Sequence, residues 1–164
     1  MKLRIGTLVA ATMLTLTACG SITAEEWKAK VDALEAHEYK TCVVNGEVSE
    51  GGESMKIENV GFSYVGNGQW TSNDAYASVV EDMVGMNAKG LSFPEMLGYT
   101  YTYGSDLSVK VSMSQEMSGA SMKGEGKMEF DKYGYLVKYV EEETVSYQGK
   151  TMSGKVSFTF AYAD

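Results

Sequence analysis

Two neighbouring segments, residues 135–147 (YLVKYVEEETVSY) and 150–163 (KTMSGKVSFTFAYA), decide the fold class of this chain. From Val156 to Tyr162 every second residue is large and apolar, and the residues between them are small or polar. Because side chains of a β-strand point alternately to its two faces, this spacing predicts a strand with one covered face. The first segment begins with the same alternation, and Gln148-Gly149 predicts the turn of an antiparallel hairpin.

The same period of two recurs upstream. It predicts strands over residues 39–48, 55–64, 99–103 and 107–113, and a further strand that ends near Phe130. Glycine-rich or Asn-Gly turns separate these strands, and they are at residues 50–53, 66–68 and 131–134. A one-residue slip in the alternation near residues 59–61 predicts a β-bulge. The chain should therefore form an antiparallel meander with one apolar face.

Two helices interrupt the strand pattern. Thr23 and Glu26 form a capping box, with Trp27 beginning an apolar stripe, and this predicts a helix from about Ala24 to Ala36. A second helix is predicted from about residue 74 to residue 86, capped by Ser72 or Asn73. Its apolar face should comprise Tyr76, Val79, Val80, Met83 and Val84. Residues 92–95 (SFPE) could open a further short helical turn.

The first 18 residues have the layout of an export signal. Lys2 and Arg4 precede an apolar stretch of about a dozen residues, which is too short to span a bilayer, since spanning needs roughly 20. The stretch ends in Leu-Thr-Ala-Cys at residues 16–19, which resembles a bacterial lipobox. That resemblance implies cleavage before Cys19 and acylation of its thiol. The alternative is an ordinary secretory signal followed by a cysteine.

The net negative charge of the chain disfavours some classes of binding partner. The chain has 22 acidic and 14 basic residues, and removal of the signal, which contains Lys2 and Arg4, would leave it more acidic still. An acidic domain repels phosphate backbones, so nucleic acid is not expected as a partner. It is also repelled by anionic membrane surfaces, so attachment to the membrane should come from the acyl chains on Cys19.

Residues able to carry catalysis or bind a metal are few. His37 is the only histidine, and at the end of the first helix it should interact with the helix carbonyls and dipole. Cys42 is a reactive thiol, one half of an intermolecular disulfide or, as we expect, a small buried apolar residue. The run Glu141-Glu142-Glu143 lies within a strand, so its carboxylates should point to alternate faces in solvent. We therefore predict no enzyme activity, no metal site and no cofactor.

The chain contains 11 Met and 11 Tyr, which is the remaining signal of function. Met is flexible and suits adaptable apolar surfaces, so a cleft for a hydrophobic ligand is one interpretation. Ordinary filling of the core is the other. If there is a cleft, its predicted lining is Trp27, Val80, Met83, Met113, Phe158 and Phe160.

The order of these features resembles a known family. A lipobox, a helix just after it and a long antiparallel meander with inserted helices are similar to the half-barrel lipoprotein carriers of the LolA/LppX-like group. The segments TAEEW at residues 23–27 and FDKYGYL at residues 130–136 resemble small lipoproteins of Gram-positive bacteria. The resemblance implies an α+β fold in which a strongly curved antiparallel sheet, a half-barrel, encloses a cavity for acyl chains.

The predicted organisation follows. Residues 1–18 are the signal peptide, residues 19–22 are the lipidated cysteine and a very short tether, and residues 23–164 are a single domain. The protein should be lipid-anchored on the extracytoplasmic face of the cell membrane, or in the outer membrane if the cell has two. The leading functional hypothesis is binding of a lipid or other hydrophobic ligand without catalysis. The alternative is an anchored module that binds another protein of the cell envelope.

Overall fold

The computed structural model describes residues 20–84 and 99–164, and these form nine strands and two helices. The strands are β1 (Ser21–Ile22), β2 (Thr41–Glu50), β3 (Glu53–Gly66), β4 (Gln69–Thr71), β5 (Tyr99–Gly104), β6 (Ser108–Met117), β7 (Ala120–Phe130), β8 (Leu136–Tyr147) and β9 (Lys150–Ala163). The helices are α1 (Ala24–Asp32) and α2 (Ala77–Val84). The predicted signal peptide, Cys19 and the turn at residues 92–95 lie outside the described residues.

All nine strands belong to one antiparallel sheet. Their order is β1-β5-β6-β7-β8-β9-β2-β3-β4, so the sheet is open, with two very short strands at its edges. The segment β5 to β9 is a simple meander, whereas β2 crosses over to pair with β9. The predicted α+β class with an antiparallel sheet is confirmed, and α2 is one of the predicted inserted helices. Ser21 and Ile22, which the sequence assigns to the tether, instead pair with β5.

The predicted hairpin turns are confirmed where glycine or asparagine permits them. Gly51 and Gly52 connect β2 to β3 with φ values of 60° and 94°. Asn67 and Gly68 connect β3 to β4 with φ values of 54° and 77°. Two consecutive residues with positive φ form the tight turn that matches the twist of the flanking strands.

The predicted bulge is also present, in β3. Val44 pairs with Val60 and Gly46 pairs with Ile57, so two residues of β3 stand opposite one residue of β2. Asn59 has φ 57°, and its backbone N–H donates to the side chain of Asn45 at 2.8 Å. The bulge places Ile57 and Val60 on the same side of the sheet, where both are fully buried.

Helix α1 begins as its capping box predicts. The backbone N–H of Glu26 donates to Thr23 Oγ1 at 3.2 Å, and the backbone N–H of Thr23 donates to Glu26 Oε2 at 2.8 Å. Trp27 is buried against Tyr103 and Phe130, with ring centroids 5.4 and 6.2 Å away. This contact holds α1 on the face of the sheet that also carries most of the buried side chains; we call it the inner face.

We expect Thr23→Ala to lower the free energy of unfolding by about 1 kcal/mol, because the N–H of Glu26 then loses its acceptor at the helix N-terminus. Urea unfolding measures the change as a shift in midpoint at constant slope. Thr23→Ser is the matched control, since it keeps the hydroxyl group. Equal losses in the two variants would show that the cap does not contribute in the expected way.

Helix α1 is shorter than predicted. α1 ends at Asp32 and not near Ala36, because the residues that follow leave the helix and place the His37 and Tyr39 rings against Tyr133. The prediction that His37 interacts with the end of the first helix was therefore wrong.

α2 starts at Ala77, three residues later than predicted. Before it, Ser72 Oγ accepts from the N–H of Asp74, and Asp74 Oδ1 accepts from the N–H of Tyr76, so these side chains stabilise a turn. Tyr76, predicted on the apolar face, is 46% exposed.

Candidate functional site

Most of the predicted lining residues lie in the core beneath the helices. Four belong to the main cluster of buried side chains and are at most 5% exposed: Trp27, Val80, Phe158 and Phe160. Met113 is also buried, on β6, outside that cluster. Met83 lies on α2 and is 43% exposed. The structure thus brings four of the six together as core packing.

Burial declines along the strands of the inner face. The register aligns Val109, Met128, Tyr139 and Phe158 across four neighbouring strands. Val109 and Phe158 in this row are fully buried. A row further along aligns Met122, Val145 and Met152, and there Met152 is 54% exposed. We call the end of the sheet with α1 proximal, and the end with the β2–β3, β6–β7 and β8–β9 turns distal.

Apolar side chains continue over the distal part of the inner face, where they remain partly or largely exposed. They come from four strands, β3, β7, β8 and β9, and lie on one face of the sheet, which we call the distal inner patch: Met55, Met122, Val145, Tyr147, Met152 and Val156. A hollow of about 550 Å³ borders it between the β6–β7 and β8–β9 turns, lined mainly by small and polar residues together with Tyr147. The patch is therefore an open apolar surface.

Two glutamates lie within this apolar surface. Glu141 stands between Gly126 of β7 and Val156 of β9, and Glu143 stands between Gly124 and Gly154. Because glycine has no side chain, the neighbouring strands leave room for the side chains of Glu141 and Glu143. A Cβ built on Gly124 would lie 3.4 Å from Glu143 Cγ, so the glutamate stem already occupies the adjoining space.

The two carboxyl groups interact directly. Burial raises the pKa of Glu143, and the charge of Glu141 and a hydrogen bond between the two side chains raise it further. The hydroxyl of Tyr139 donates to Glu141 Oε2, while burial and then the charges of the two glutamates raise the pKa of Tyr99.

The predicted alternation of residues 141–143 is confirmed, but their predicted solvation was wrong for two of the three. Glu142 lies on the opposite, outer face, where Lys155 Nζ is 2.6 Å from its Oε1. Glu141 and Glu143 are partly buried on the inner face. The sequence carried the necessary signal, because Tyr139 and Val145 are inner-face residues and every second residue between them must share that face.

An aromatic cluster closes the proximal end of the inner face. Tyr39 stacks on Tyr162 with ring centroids 5.1 Å apart and donates to Asp131 Oδ2 at 2.8 Å. Asp131 Oδ1 accepts from the backbone N–H groups of Tyr133 and Tyr135, both at 2.9 Å. Burial, followed by the hydrogen bond to Asp131, raises the pKa of Tyr39. These satisfied contacts indicate a structural role.

His37 and Cys42 are both accounted for in this region. The His37 ring stacks on Tyr133 at 4.2 Å, and its Nε2 lies 2.9 Å from Asp164 Oδ1. Cys42 is 1% exposed, and burial raises the pKa of its thiol to about 12. This burial confirms the interpretation of Cys42 as a small buried apolar residue.

Metal chemistry and membrane crossing find no support in the described part of the chain. Within residues 20–84 and 99–164, no group of three or more His, Cys, Asp or Glu side chains could hold a metal ion. No helix in the same ranges is long and apolar enough to cross a membrane. Comparison with known proteins gives no family model, no curated protein and no solved structure that matches the chain.

Proposed function

We propose that this protein is a membrane-anchored extracytoplasmic lipoprotein that holds an apolar ligand, of the acyl-chain type, on its distal inner patch without catalysis. The observation that carries the proposal is the exposure, partial or larger, of six apolar side chains on the same face of the sheet, beyond the helices. Soluble proteins rarely expose large contiguous apolar surfaces unless these bind something. Three of the six are methionines, whose flexible side chains adapt to ligands of varied shape.

The position of this ligand differs from the one expected from sequence. Trp27, Val80, Phe158 and Phe160 fill the core beneath the helices, so we place the ligand further along the strands. The patch runs from Met55 on β3 to Met122 on β7, four strand spacings, or roughly 19 Å at about 4.8 Å each. Acyl chains of one leaflet span roughly 15 Å, half of a bilayer's hydrocarbon core, so the patch suits one such chain.

The proposal includes the anchor and the curvature of the sheet. Acylation of Cys19 follows from the resemblance of residues 16–19 to a lipobox, and two or more acyl chains would hold the protein stably at a membrane. A strongly curved half-barrel, as in the LolA/LppX-like carriers, would place the patch in a concave surface. The open antiparallel sheet, with α1 on its inner face, supports this architecture.

Native mass spectrometry of the chain carrying Cys19→Ser, purified without detergent, tests the proposal. We expect copurified lipid, and we expect the uncharged probe N-phenyl-1-naphthylamine to bind with increased fluorescence. A ligand-free mass together with no probe binding would contradict the proposal. The same patch would then be better explained as the surface of an anchored module that binds another envelope protein.

We expect Met152→Glu to weaken probe binding at least tenfold, because a charge placed in the patch must lose water when the ligand covers it. Met152 is 54% exposed, so the variant should still fold. Ser153→Glu is the matched control, since it adds the same charge to the outer face of the same strand. Equal weakening in both variants would mean that the probe does not bind at the patch.

A further inference from the structure

Two lysines stand directly opposite each other on the outer face, near the proximal end of the sheet. Lys110 of β6 pairs with Lys127 of β7, and Thr102 of β5 is the neighbour of Lys110 on its other side. Val109 and Val111, which flank Lys110 along β6, are buried, so Lys110 must point to the outer face. Like charges directly opposite each other on neighbouring strands are destabilising. An anion between the two ammonium groups would offset their repulsion.

One of these lysines has an acidic partner and the other has none among the described residues. Lys127 Nζ lies 2.8 Å from Glu129 Oε1. Lys110 is exposed, and in the described part of the chain no acid lies within salt-bridge distance of its ammonium group. Glu125, the preceding acid on the outer face of β7, stands opposite Ser112 instead. Lys110 is therefore available to an anion, although the chain as a whole has a net charge of −8.

The two lysines line a hollow at the proximal end of the sheet, about 370 Å³ in volume. Thr102 and the acid Asp106 also line it, and Asp106 Oδ1 accepts from Ser108 Oγ at 2.6 Å. From α1, Lys30 Nζ donates to the carbonyl oxygen of Ser105, another lining residue, at 2.6 Å. The described lining thus has two ammonium groups and one carboxylate, with a third ammonium group at its edge, so positive charge prevails there.

The hollow lies beside the point at which the chain would meet the membrane. Gly20 and Ser21 line it, and the pairing of Ser21 with Gly104 fixes them to the sheet. Cys19 is the residue before Gly20, so it is within two residue steps, or roughly 7 Å, of Ser21. The headgroup layer of a bilayer is roughly 5–8 Å thick on each side. With Cys19 acylated, the hollow therefore lies at the level of the lipid phosphate groups.

We propose that Lys110, Lys127 and Thr102 bind the phosphate group of a membrane phospholipid beside the acyl anchor. This rests on the acylation of Cys19, which is part of the proposed function. Phosphate oxygens can accept from the ammonium groups of both lysines and from the Thr102 hydroxyl, and such charge-assisted hydrogen bonds are roughly twice as strong as neutral ones. A bound headgroup would limit rotation of the domain about its short tether and hold the distal inner patch in one orientation to the membrane.

The phosphate site is tested in the full chain carrying Cys19→Ser by nitrogen-15 NMR titration with inorganic phosphate, with chloride used to keep the ionic strength constant. We expect the amide signals of Thr102 and Lys127 to shift, and Lys110→Gln to weaken binding about threefold, the effect of one exposed ion pair. Lys123→Gln is the matched control, since it removes the same charge from the outer face of β7 outside the hollow. No shift of these signals, or equal weakening in both variants, would overturn the proposal.

The acylated protein in nanodiscs of phosphatidylcholine distinguishes a lipid headgroup from free phosphate. With some lipid carrying a nitroxide on its headgroup, we expect broadening of the Thr102 and Lys127 amide signals, and less of it in Lys110→Gln than in Lys123→Gln. Phosphate binding in solution without this difference in nanodiscs would assign the site to free phosphate and overturn the lipid assignment. The mass of the mature chain reports acylation and N-phenyl-1-naphthylamine reports the distal inner patch, so failure of the proposed function is detected separately.

Discussion

Phe158→Ala is expected to lower the free energy of unfolding by about 3–5 kcal/mol, because it empties a large volume at a fully buried site. The Phe158 ring is completely inaccessible to solvent and lies between the pairing partners Tyr139 and Gly46. Phe160 is close, with ring centroids 6.4 Å apart, but strand pairing on both sides of β9 prevents the sheet from collapsing into the space. The cavity should therefore remain open and contribute a large part of the loss in the free energy of unfolding.

Urea or thermal unfolding followed by circular dichroism measures this loss, and a chain of ordinary stability would be close to unfolding. Thr159→Ala is the matched control, since Thr159 is the next residue on the same strand and is exposed on the outer face. Its effect should be within about 0.5 kcal/mol. A loss below about 1 kcal/mol for Phe158→Ala would mean that the ring is not packed as described.

The second large effect is expected from Gly46→Ala, at about 3 kcal/mol, the upper end of the usual cost of overpacking. A Cβ at this position would overlap Phe158 Cδ1 and the carbonyl oxygen of Ser157, and would lie 2.8 Å from Phe158 Cε1. The ring could turn away only into a filled core, and the carbonyl belongs to the strand that pairs with β2. These overlaps can therefore be relieved only if β2 and β9 move apart.

Gly61→Ala provides the control for this prediction. It is also a strand glycine, without positive φ, but a Cβ there would meet nothing within 4 Å. We expect it to be neutral or slightly stabilising, because alanine has less freedom than glycine in the unfolded chain. Combining Gly46→Ala with Phe158→Ala should cost less than the sum of the two, since the cavity removes one of the overlaps. Strict additivity would contradict the packing argument.

Local sequence patterns predicted most of the strands, because their signals act between near neighbours. Alternation from Val156 to Tyr162 gave the faces of β9, and Asn67-Gly68 gave a turn that depends on two residues alone. The bulge at Asn59 was visible as a slip in the same alternation. These features depend on backbone sterics and side-chain direction, which are properties of the local chain.

Features decided by distant contacts were missed. The end of α1 depends on where His37 and Tyr39 meet Tyr133, a residue almost a hundred positions away. Likewise, nothing local indicated that Ser21 and Ile22 would pair with β5. Helical propensity is a weak preference that tertiary packing readily overrides.

The candidate site was missed for a different reason. Because residues 141–143 are all acidic, the sequence suggested a run exposed to solvent. The alternation of side chains along the strand places Glu141 and Glu143 on the same face as Tyr139 and Val145, but it was not used to assign them to that face. The predicted lining, such as Phe158, was drawn from the most apolar residues, and those fill the core first. A site on a partly covered surface is formed by apolar residues that are not buried in the core. A list of apolar side chains does not show which residues these are.

The position of β9 between β8 and β2 has a consequence for how the chain is made. During synthesis, β2 to β4 and β5 to β8 emerge as two separate pieces, since the strand that joins them is produced after both. At roughly 5–20 residues per second, many seconds pass between the appearance of Thr41 and that of Lys150. A nascent chain that still lacks β9 thus cannot complete its core, and this delay suits a protein that, as we propose, must cross a membrane before it folds.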